Sequence, residues 1–407
     1  MVAVIALLAV ACGSAKHASA LPVTPSPVGT TSTPTGDASP TSYPSPIVEP
    51  SPSPSPTYPL PTTATSARTQ CPAVQAAPQF PASTPSNRNL ALVWLNGSSA
   101  FVVRDVTDIN HPIDVSTFNG NGIGLPQFAS GSDVSFVTDT DLVRMPFSGI
   151  PNTRVTSLCL GSIGFAWSPD GTTAAYVTDD QSQTGSTLHL VSGGQDRVVS
   201  SMPAFAWGTG CEGPPCAENS DQRLLYSPDG AHISLVQTWG GPALRVWTSG
   251  GTVLKAVDSS TRDASMTMSV WSGDTLYFRD NVGVQRWRGG TQSLVLSGVA
   301  WIRPKASPGG GQIVYVAPQF GEPDVFMLDT ASGNVRLLAK LRSEPAFLTS
   351  RFIWYQGERP CVSGDPYPCS SGGLTIPSGK TYIYDLQTGT ETESTIAHVW
   401  DVWPHPA

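Results

Sequence analysis

The side chains with the widest chemistry in this chain are its seven cysteines. A thiol can take a lipid, close a disulfide, bind a metal or act as a nucleophile, and spacing decides between these. Cys211 and Cys216 are separated by EGPP, and Cys361 and Cys369 by VSGDPYP, both inside Pro/Gly-rich insertions. Close pairs in turn-rich loops predict two local disulfides in an oxidising compartment. A metal site is the rival reading, but no CxxC occurs and His is scarce nearby, so neither a metal nor another cofactor is expected. Asp139-Thr-Asp141 and Asp179-Asp180 could suggest a cation site, and ordinary water-facing loop carboxylates are the simpler account. The chain has no G-x-S-x-G elbow, P-loop, HExxH or EF-hand pattern, so no catalytic residue is assigned.

Cys12 is a different case. It follows an apolar run, Val2 to Ala11, that is too short to span a bilayer and fits the apolar core of a signal peptide. Ala11-Cys12-Gly13-Ser14 resembles the lipobox of bacterial lipoproteins. In that family the Cys thiol takes a diacylglycerol and becomes the N-terminus after cleavage. Ala9 stands where Leu is usual, and no basic residue precedes the run. The resemblance implies a signal peptide over residues 1–11, missing its basic start, and a palmitate-bearing anchor at Cys12. The protein would then lie outside the cytoplasm, on the bacterial cell membrane. The alternative is a secreted protein cut after Ala18-Ser-Ala20. With Cys12 lipidated, six cysteines remain, and Cys71 and Cys159 are left to pair with each other.

Residues 12–87 are dominated by Pro, Ser and Thr, as in SPIVEPSPSPSPTYPLPTTATS. Such a segment cannot bury enough surface to offset the entropy of ordering, and a disordered linker is expected. Stretched as polyproline II at about 3.1 Å per residue, it would reach on the order of 100–200 Å. Dense Ser/Thr beside Pro also resembles O-glycosylated stalks.

The remainder, 88–407, must position whatever chemistry the chain has. Charged residues are only 13% of the chain, while Gly and Pro number 39 and 38, which disfavours helices and suits short strands with tight turns. The net charge is −8 and no Lys/Arg run occurs, so neither nucleic acid nor an anionic membrane surface is supported as a partner. One unit recurs. Phe165-Ala-Trp-Ser-Pro-Asp-Gly171 precedes TTAAYVT, and Leu225-Tyr-Ser-Pro-Asp-Gly230 precedes AHISLVQT. Weaker copies run from Val270 and Val299, with Trp271 and Trp301 as their aromatics. In the Ser-Pro-Asp-Gly turn Pro presets φ, Asp bonds its own backbone and Gly accepts positive φ. Third and fourth strands follow, as in Thr187–Val191 with Arg197–Ser200 and Asp324–Asp329 with Asn334–Leu338.

Four short strands every 40–50 residues mark propeller blades. The units resemble the WD40-like repeat of TolB-type propellers, and related blades accompany prolyl oligopeptidase-like hydrolases. Aromatic landmarks near Phe128, Trp167, Tyr226, Trp271, Trp301, Phe347 and Trp400 imply seven blades. His398-Val-Trp-Asp-Val-Trp403 reads as a first strand, whereas Leu90–Trp94 reads as a second strand lacking one, so the C-terminus is expected to complete the N-terminal blade. The expected fold is therefore all-β, a seven-bladed β-propeller closed by a C-terminal strand.

The candidate contact residues lie on loops joining second to third strands: Asp179 and Asp180, Trp239 in TWGGP, Phe320 and Glu322 in PQFGEP, and Arg359, Asp365 and Tyr367 in the 357–379 loop. A 208–221 insertion precedes the first strand of blade 4 on the same side. Aromatics with acidic neighbours suit protein or glycan contacts, or they cover the ring mouth without a partner. The expected function is a monomeric, non-catalytic binding scaffold at the cell envelope, as in TolB-like propellers; the alternative is a hydrolase or lyase using the central funnel. The lipid anchor is open to direct measurement: radioactive palmitate should label the parent protein in cells and not a Cys12→Ala variant, and equal labelling of both would exclude it.

Overall fold

Leu90-Ala-Leu-Val is apolar at four successive positions, and all four are fully buried. A strand buries both faces only when layers pack on both sides of it. The computed structural model has that arrangement. It describes residues 74–404 apart from 84–86, 96–99, 121–123, 139–140, 150, 159–163, 180–184, 204–222, 238–242, 259–267, 281, 320–321, 367–368 and 370–373. The linker over 12–73, with Cys12 and Cys71, lies outside the described residues.

The described chain folds into β-strands arranged as seven sheets. A short strand, β1 (Val74–Ala76), precedes the ring. Blade 1 contains β2 (Leu90–Trp94), β3 (Ala100–Asp105) and β4 (Ile113–Asn119). Blade 2 is β5 (Gly124–Ser130), β6 (Asp133–Val137), β7 (Asp141–Pro146) and β8 (Thr153–Ser157). Blade 3 is β9 (Gly164–Trp167), β10 (Ala174–Asp179), β11 (Gly185–Ser192) and β12 (Gln195–Pro203). Blade 4 is β13 (Arg223–Tyr226), β14 (His232–Gln237), β15 (Ala243–Thr248) and β16 (Val253–Asp258). Blade 5 is β17 (Ser269–Ser272), β18 (Thr275–Arg279), β19 (Gly283–Arg288) and β20 (Thr291–Ser297). Blade 6 is β21 (Ile302–Ala306), β22 (Gln312–Gln319), β23 (Glu322–Asp329) and β24 (Val335–Lys340). Blade 7 is β25 (Arg342–Phe347), β26 (Phe352–Pro360), β27 (Thr375–Asp385) and β28 (Thr390–Ser394). The last strand, β29 (His398–Trp403), returns to blade 1 as its first strand, in the order β29-β2-β3-β4. Each first strand touches the next, from β5 through β9, β13, β17, β21 and β25 to β29 and back to β5, so these strands encircle the axis.

The core is divided among the seams between blades. Seven apolar clusters occur among the described residues, one per seam. Alternate residues of one strand serve different seams: Leu90 and Leu92 face blade 2, while Ala91 and Val93 face blade 7. The repeated turn is built the same way three times. Gly171, Gly230 and Gly310 have φ of 69°, 70° and 67°. Their amides donate to the carbonyls of Ser168, Ser227 and Ser307 at 2.8 Å in each copy. In the first two copies the Ser hydroxyl also donates to the turn Asp at 2.5 Å.

Three readings from the sequence need correction. Residues 74–83 are not linker. β1 pairs antiparallel with β12 as a fifth strand of blade 3, Val74 opposite Arg197. Phe80 then packs edge-on against Trp167 at 5.2 Å, and both rings flank the Arg144 guanidinium at 4.8 and 4.7 Å. Trp301 is not the blade 6 landmark; Ala306 fills that place before Ser307, and Trp301 is buried ahead of β21 against Tyr315, 4.7 Å between centroids. In blade 1 the landmark is Trp403, which packs toward Phe128, while Trp400 sits beside Trp94 and Phe101.

The closing register pairs Leu90 with Trp403, Ala91 with Val402, Leu92 with Asp401 and Val93 with Val399. Asp401 also accepts the Phe128 amide of blade 2 at 2.8 Å. Deleting residues 397–407 should therefore lower the melting temperature by more than about 10 °C, since Val399 and Trp403 alone bury several kcal/mol of apolar surface. Deleting residues 21–60 should leave melting within about 2 °C of the parent, as expected of a segment whose Pro/Ser/Thr composition offers little apolar surface to bury. Calorimetry distinguishes the two variants.

Candidate functional site

The first strands of the ring are of two kinds. In blades 3, 4 and 5 they pair with their neighbours without a break in register. In blades 6, 7, 1 and 2, which are consecutive, each carries extra residues, one in blades 6, 7 and 1 and two in blade 2. The breaks fall between Ile302 and Lys305, Ser343 and Ala346, Val399 and Asp401, Gly124 and Gln127, and Phe128 and Ser130. Three of the five contain an X-Pro step: Arg303-Pro304, Glu344-Pro345 and Leu125-Pro126. Proline cannot donate to the ladder, and bulges re-aim side chains, often beside functional sites.

Backbone strain concentrates in the same place. Among the described residues, three that are not glycine have positive φ: Arg303 at 50°, Leu341 at 53° and Glu344 at 55°. Such conformations cost about 1–3 kcal/mol each and persist where surrounding structure over-determines them. Leu341 is held from both sides, its amide donating to Asp324 at 3.1 Å and its carbonyl accepting the Glu358 amide at 2.9 Å. Arg303 and Glu344 form an ion pair across the blade 6–blade 7 seam, with side chains 29% and 24% exposed, so water still reaches both. Ser343 donates to Glu358 at 2.6 Å. Burial pushes the Glu358 carboxyl up, and the Ser343 bond and the Arg303 charge only partly oppose it. His398 faces Trp354 edge-on at 6.0 Å. Burial first, then the charges of Arg303 and Lys305, push its imidazole down to about 4, so it is neutral at pH 7.

A second constellation projects from blade 7. β26 and β27 pair in two stretches, Phe352–Gln356 with Thr381–Asp385 and Glu358–Pro360 with Thr375–Pro377, separated by a register break. At the break Ser378 donates to the Gly357 carbonyl at 3.0 Å. A Cβ at Gly357 would meet Ser378 Oγ and the Tyr382 ring at 2.7 Å, so only glycine fits. The outer stretch extends the ladder into the 357–379 loop expected from sequence, pairing 358–360 with 375–377. Beyond it the chain is braced three ways. Cys361 and Cys369 form the expected disulfide. The Cys361 amide donates to the Leu374 carbonyl at 2.9 Å. Arg359 grips both oxygens of Asp365 at 2.7 Å, and the Val362 amide adds a bond at 2.8 Å. The Arg359 bond and the Val362 amide hold the Asp365 carboxyl down at about 2. Beside this brace Val362 and Leu374 are 63% and 53% exposed.

The other residues singled out in the sequence are not gathered into one site by the described structure. Arg359 and Asp365 meet, but as each other's partner. Glu322 opens β23 and is exposed. Asp179 ends β10. Asp141 lies near Arg154 at 4.0 Å. Asp139, Asp180, Trp239, Phe320, Tyr367, the 208–221 insertion and Cys159, Cys211 and Cys216 lie outside the described residues. The bulged wall with Arg303, Lys305, Ser343, Glu344, Glu358 and His398 was missed. Its signal in the sequence is proline inside first strands, at Pro304 and Pro345.

Among the described residues, one assembly imitates a catalytic relay, and it is sealed. His189 meets Asp196 at 3.1 Å, with side chains 2% and 1% exposed. Tyr176 donates to Asp196 at 2.5 Å, Thr156 of blade 2 donates to the same oxygen, and Thr187 contacts the other His189 nitrogen at 3.1 Å. Substrate cannot reach this network, which ties blade 2 to blade 3. Asp196→Ala strands several buried polar partners and should destabilise by about 3–5 kcal/mol. Asp274→Ala, which removes the exposed Arg288 pair, should cost under about 1 kcal/mol. Urea denaturation of both variants checks the contrast.

No protein-family model and no curated protein matches this sequence. Solved structures similar to it are propeller proteins of several kinds. A puromycin-hydrolysing peptidase of Mycobacterium tuberculosis is 13% identical with a TM-score of 0.48, covering 79% of this chain and 58% of that one; this chain thus spans little more than half its length. An oligogalacturonate lyase in complex with manganese is 14% identical with a TM-score of 0.45, covering 78% and 85%. TolB from Acinetobacter baumannii is 13% identical with a TM-score of 0.38, covering 75% and 79%. These are likenesses of fold. The seven-bladed propeller itself rests on the strand pairings above.

Proposed function

We propose that this protein is a non-catalytic binding scaffold, held at the bacterial cell envelope through Cys12 and its Pro-rich linker, that docks an envelope protein on the blade 7 hairpin. The supporting observation is the braced tip. A disulfide, a two-pronged Arg359–Asp365 pair and a ladder extension fix a segment that carries two exposed apolar side chains, Val362 and Leu374. Fixing a loop before contact removes ordering cost from association, the usual reason to brace a recognition element. Exposed aliphatic side chains on such a frame suit the apolar centre of a protein interface better than a glycan.

The alternative, an enzyme acting in the central funnel, draws on the bulged wall, where Glu358 is pushed up and His398 down. Divergent shifts of this kind mark candidate acid–base pairs. Hydrolysis or elimination on a panel of peptide and glycoside substrates, lost in Glu358→Gln, would favour that reading.

The scaffold reading predicts that immobilised propeller retrieves a defined protein from envelope extracts. The double variant Val362→Asp, Leu374→Asp should lose it at least about tenfold, the scale of one or two interface hot spots, with unchanged melting. Replacing Cys361 and Cys369 by Ser should weaken retrieval less. Equal retrieval by the double Asp variant would exclude the hairpin as the docking surface.

A further inference from the structure

Blade 3 has five strands where every other described sheet has four. Its fifth, β1, opens a strap over residues 74–83 that runs from the rim of the blade to the turn after β9. At the rim the Ala77 amide continues the β1–β12 ladder, donating to the Gly194 carbonyl at 3.0 Å. Phe80 then enters the blade 2–blade 3 seam against Trp167. At the inner end the Ser83 amide donates to the Asp170 carbonyl at 2.6 Å. The pocket that takes Phe80 is held by bonds that do not involve the strap. Arg144 is fixed by Asp133 at 2.8 Å and by the Gly171 carbonyl at 2.7 Å, and it lies over the Trp167 ring. The strap, by contrast, fits this pocket imperfectly. The Ser83 hydroxyl and the Trp167 indole N–H are both buried with no hydrogen-bond partner among the described residues. An unpaired buried polar atom weakens an interface by at least about fivefold. A cavity of about 270 Å³ separates Gln75–Pro78 from Arg154–Ser157 of β8. Val74 is 57% exposed, and Pro78 and Pro81 have no amide to offer a ladder.

We infer that the rim edge of β12 and the Arg144–Trp167 pocket form a docking groove for an extended segment of a partner protein, and that residues 74–83 are its internal, displaceable occupant. The strap itself defines the chemistry of the ligand. A short strand pairs with β12, and an aromatic ring follows four residues after Ala76, at the place of Phe80. An added strand takes affinity from main-chain bonds and specificity from side-chain pockets. Asp133 already answers the Arg144 charge, so the pocket asks for a ring face and not for an acid. A partner segment that keeps this pattern, lacks the Ser83 hydroxyl and fills the space beside β8 binds better than the strap. A second copy of this chain would bring the same Ser83 and leave the same space, so exchange between copies gains nothing. The groove lies on blade 3 and does not rest on the docking role proposed for the blade 7 hairpin.

The test uses the full chain and a fluorescently labelled peptide of the strap's own sequence, VQAAPQFPAS, read by anisotropy. A tethered strap competes at an effective concentration on the order of mM, so the parent chain should bind the peptide at least about tenfold more weakly than the Phe80→Ala chain, whose strap has lost its ring. Gln75→Pro breaks the β1 ladder and leaves the pocket residues unchanged; it should open the groove in the same way and keeps the test decisive if Phe80→Ala melts early. Three changes made in the peptide then probe the contacts on the Phe80→Ala chain. Methylating the Ala77 nitrogen, which removes the bond to Gly194, should weaken binding at least about fivefold. Phe80→Leu should weaken it similarly, because leucine offers Arg144 no ring face. Ser83→Ala should tighten it at least about fivefold by removing the unpaired hydroxyl. No binding to either loosened chain, equal binding to parent and loosened chains, or indifference to the Ala77 methyl or to Phe80→Leu would overturn the groove. Unchanged or weaker binding of the Ser83→Ala peptide would overturn the reading of the strap as an imperfect occupant. A dimer of the parent chain in sedimentation that the free peptide dissolves would overturn the partner segment in favour of exchange between copies.

Discussion

Ring closure is the constraint from which the rest of this molecule follows. Each apolar cluster lies between two blades, and no blade has a core of its own. A ring open at one seam would expose two apolar sheet faces, and blade 1 would also lack its inner strand. The chain solves this by making one blade from both ends. The sequence just after the linker supplies β2, β3 and β4, and the last strand supplies β29. The clusters flanking that blade therefore contain residues from opposite ends of the chain, Leu90 with Trp403 at one seam and Ala91 with Val399 at the other. The cost is loop-closure entropy over the whole domain, and the return is that no first strand is left without a neighbour.

Closure also explains where polar groups are admitted. The seams carry sparse, directed bonds that fix one blade against the next: Trp271 to Ser234 at 2.9 Å, Trp247 to Ser200 at 3.1 Å, and Arg144 to the Gly171 carbonyl at 2.7 Å. Arg144 is nearly sealed, so it needs compensation on every side. Asp133 supplies the charge at 2.8 Å, Gly171 a carbonyl, and Phe80 and Trp167 their faces. Burial pushes the Asp133 carboxyl up, but bonds from Ser130 and Arg144 outweigh it and leave it below its usual value. Its stabilisation is present above the unfolded carboxylate range near 3.9 and is lost as pH falls through the folded value.

The same closed ring makes the asymmetry of its inner wall informative. Three blades show that a regular first strand suffices for packing. Four consecutive blades depart from it, and two of those departures place an oppositely charged pair on strained residues. A ring that needed only stability would have no use for Arg303-Pro304 facing Glu344-Pro345. The braced blade 7 hairpin is the other departure from the minimal blade, and it lies on the blade that shares the Arg303–Glu344 seam.

Sequence alone determined the elements whose cause is local. The Ser-Pro-Asp-Gly turn is set by φ preferences within four residues, so blades 3 and 4 were legible from it, and the strand rhythm extended the count to seven. The Cys361–Cys369 bridge was legible because its loop is short. The closing strand was legible because Leu90–Trp94 lacked a partner that His398–Trp403 could be. Tertiary structure decided what depends on neighbours distant in the chain. Residues 74–83 have the composition of a linker, and only the exposed edge of β12 and the Arg144–Trp167 pocket make them strand and wedge. Trp301 and Trp400 were assigned landmark places that Ala306 and Trp403 occupy, because proline-containing or bulged strands add a residue that spacing cannot reveal. The charged wall was invisible for the same reason: Arg303 and Glu344 are 41 positions apart, and they become partners only because blades 6 and 7 pack side by side and bring two bulged first strands together.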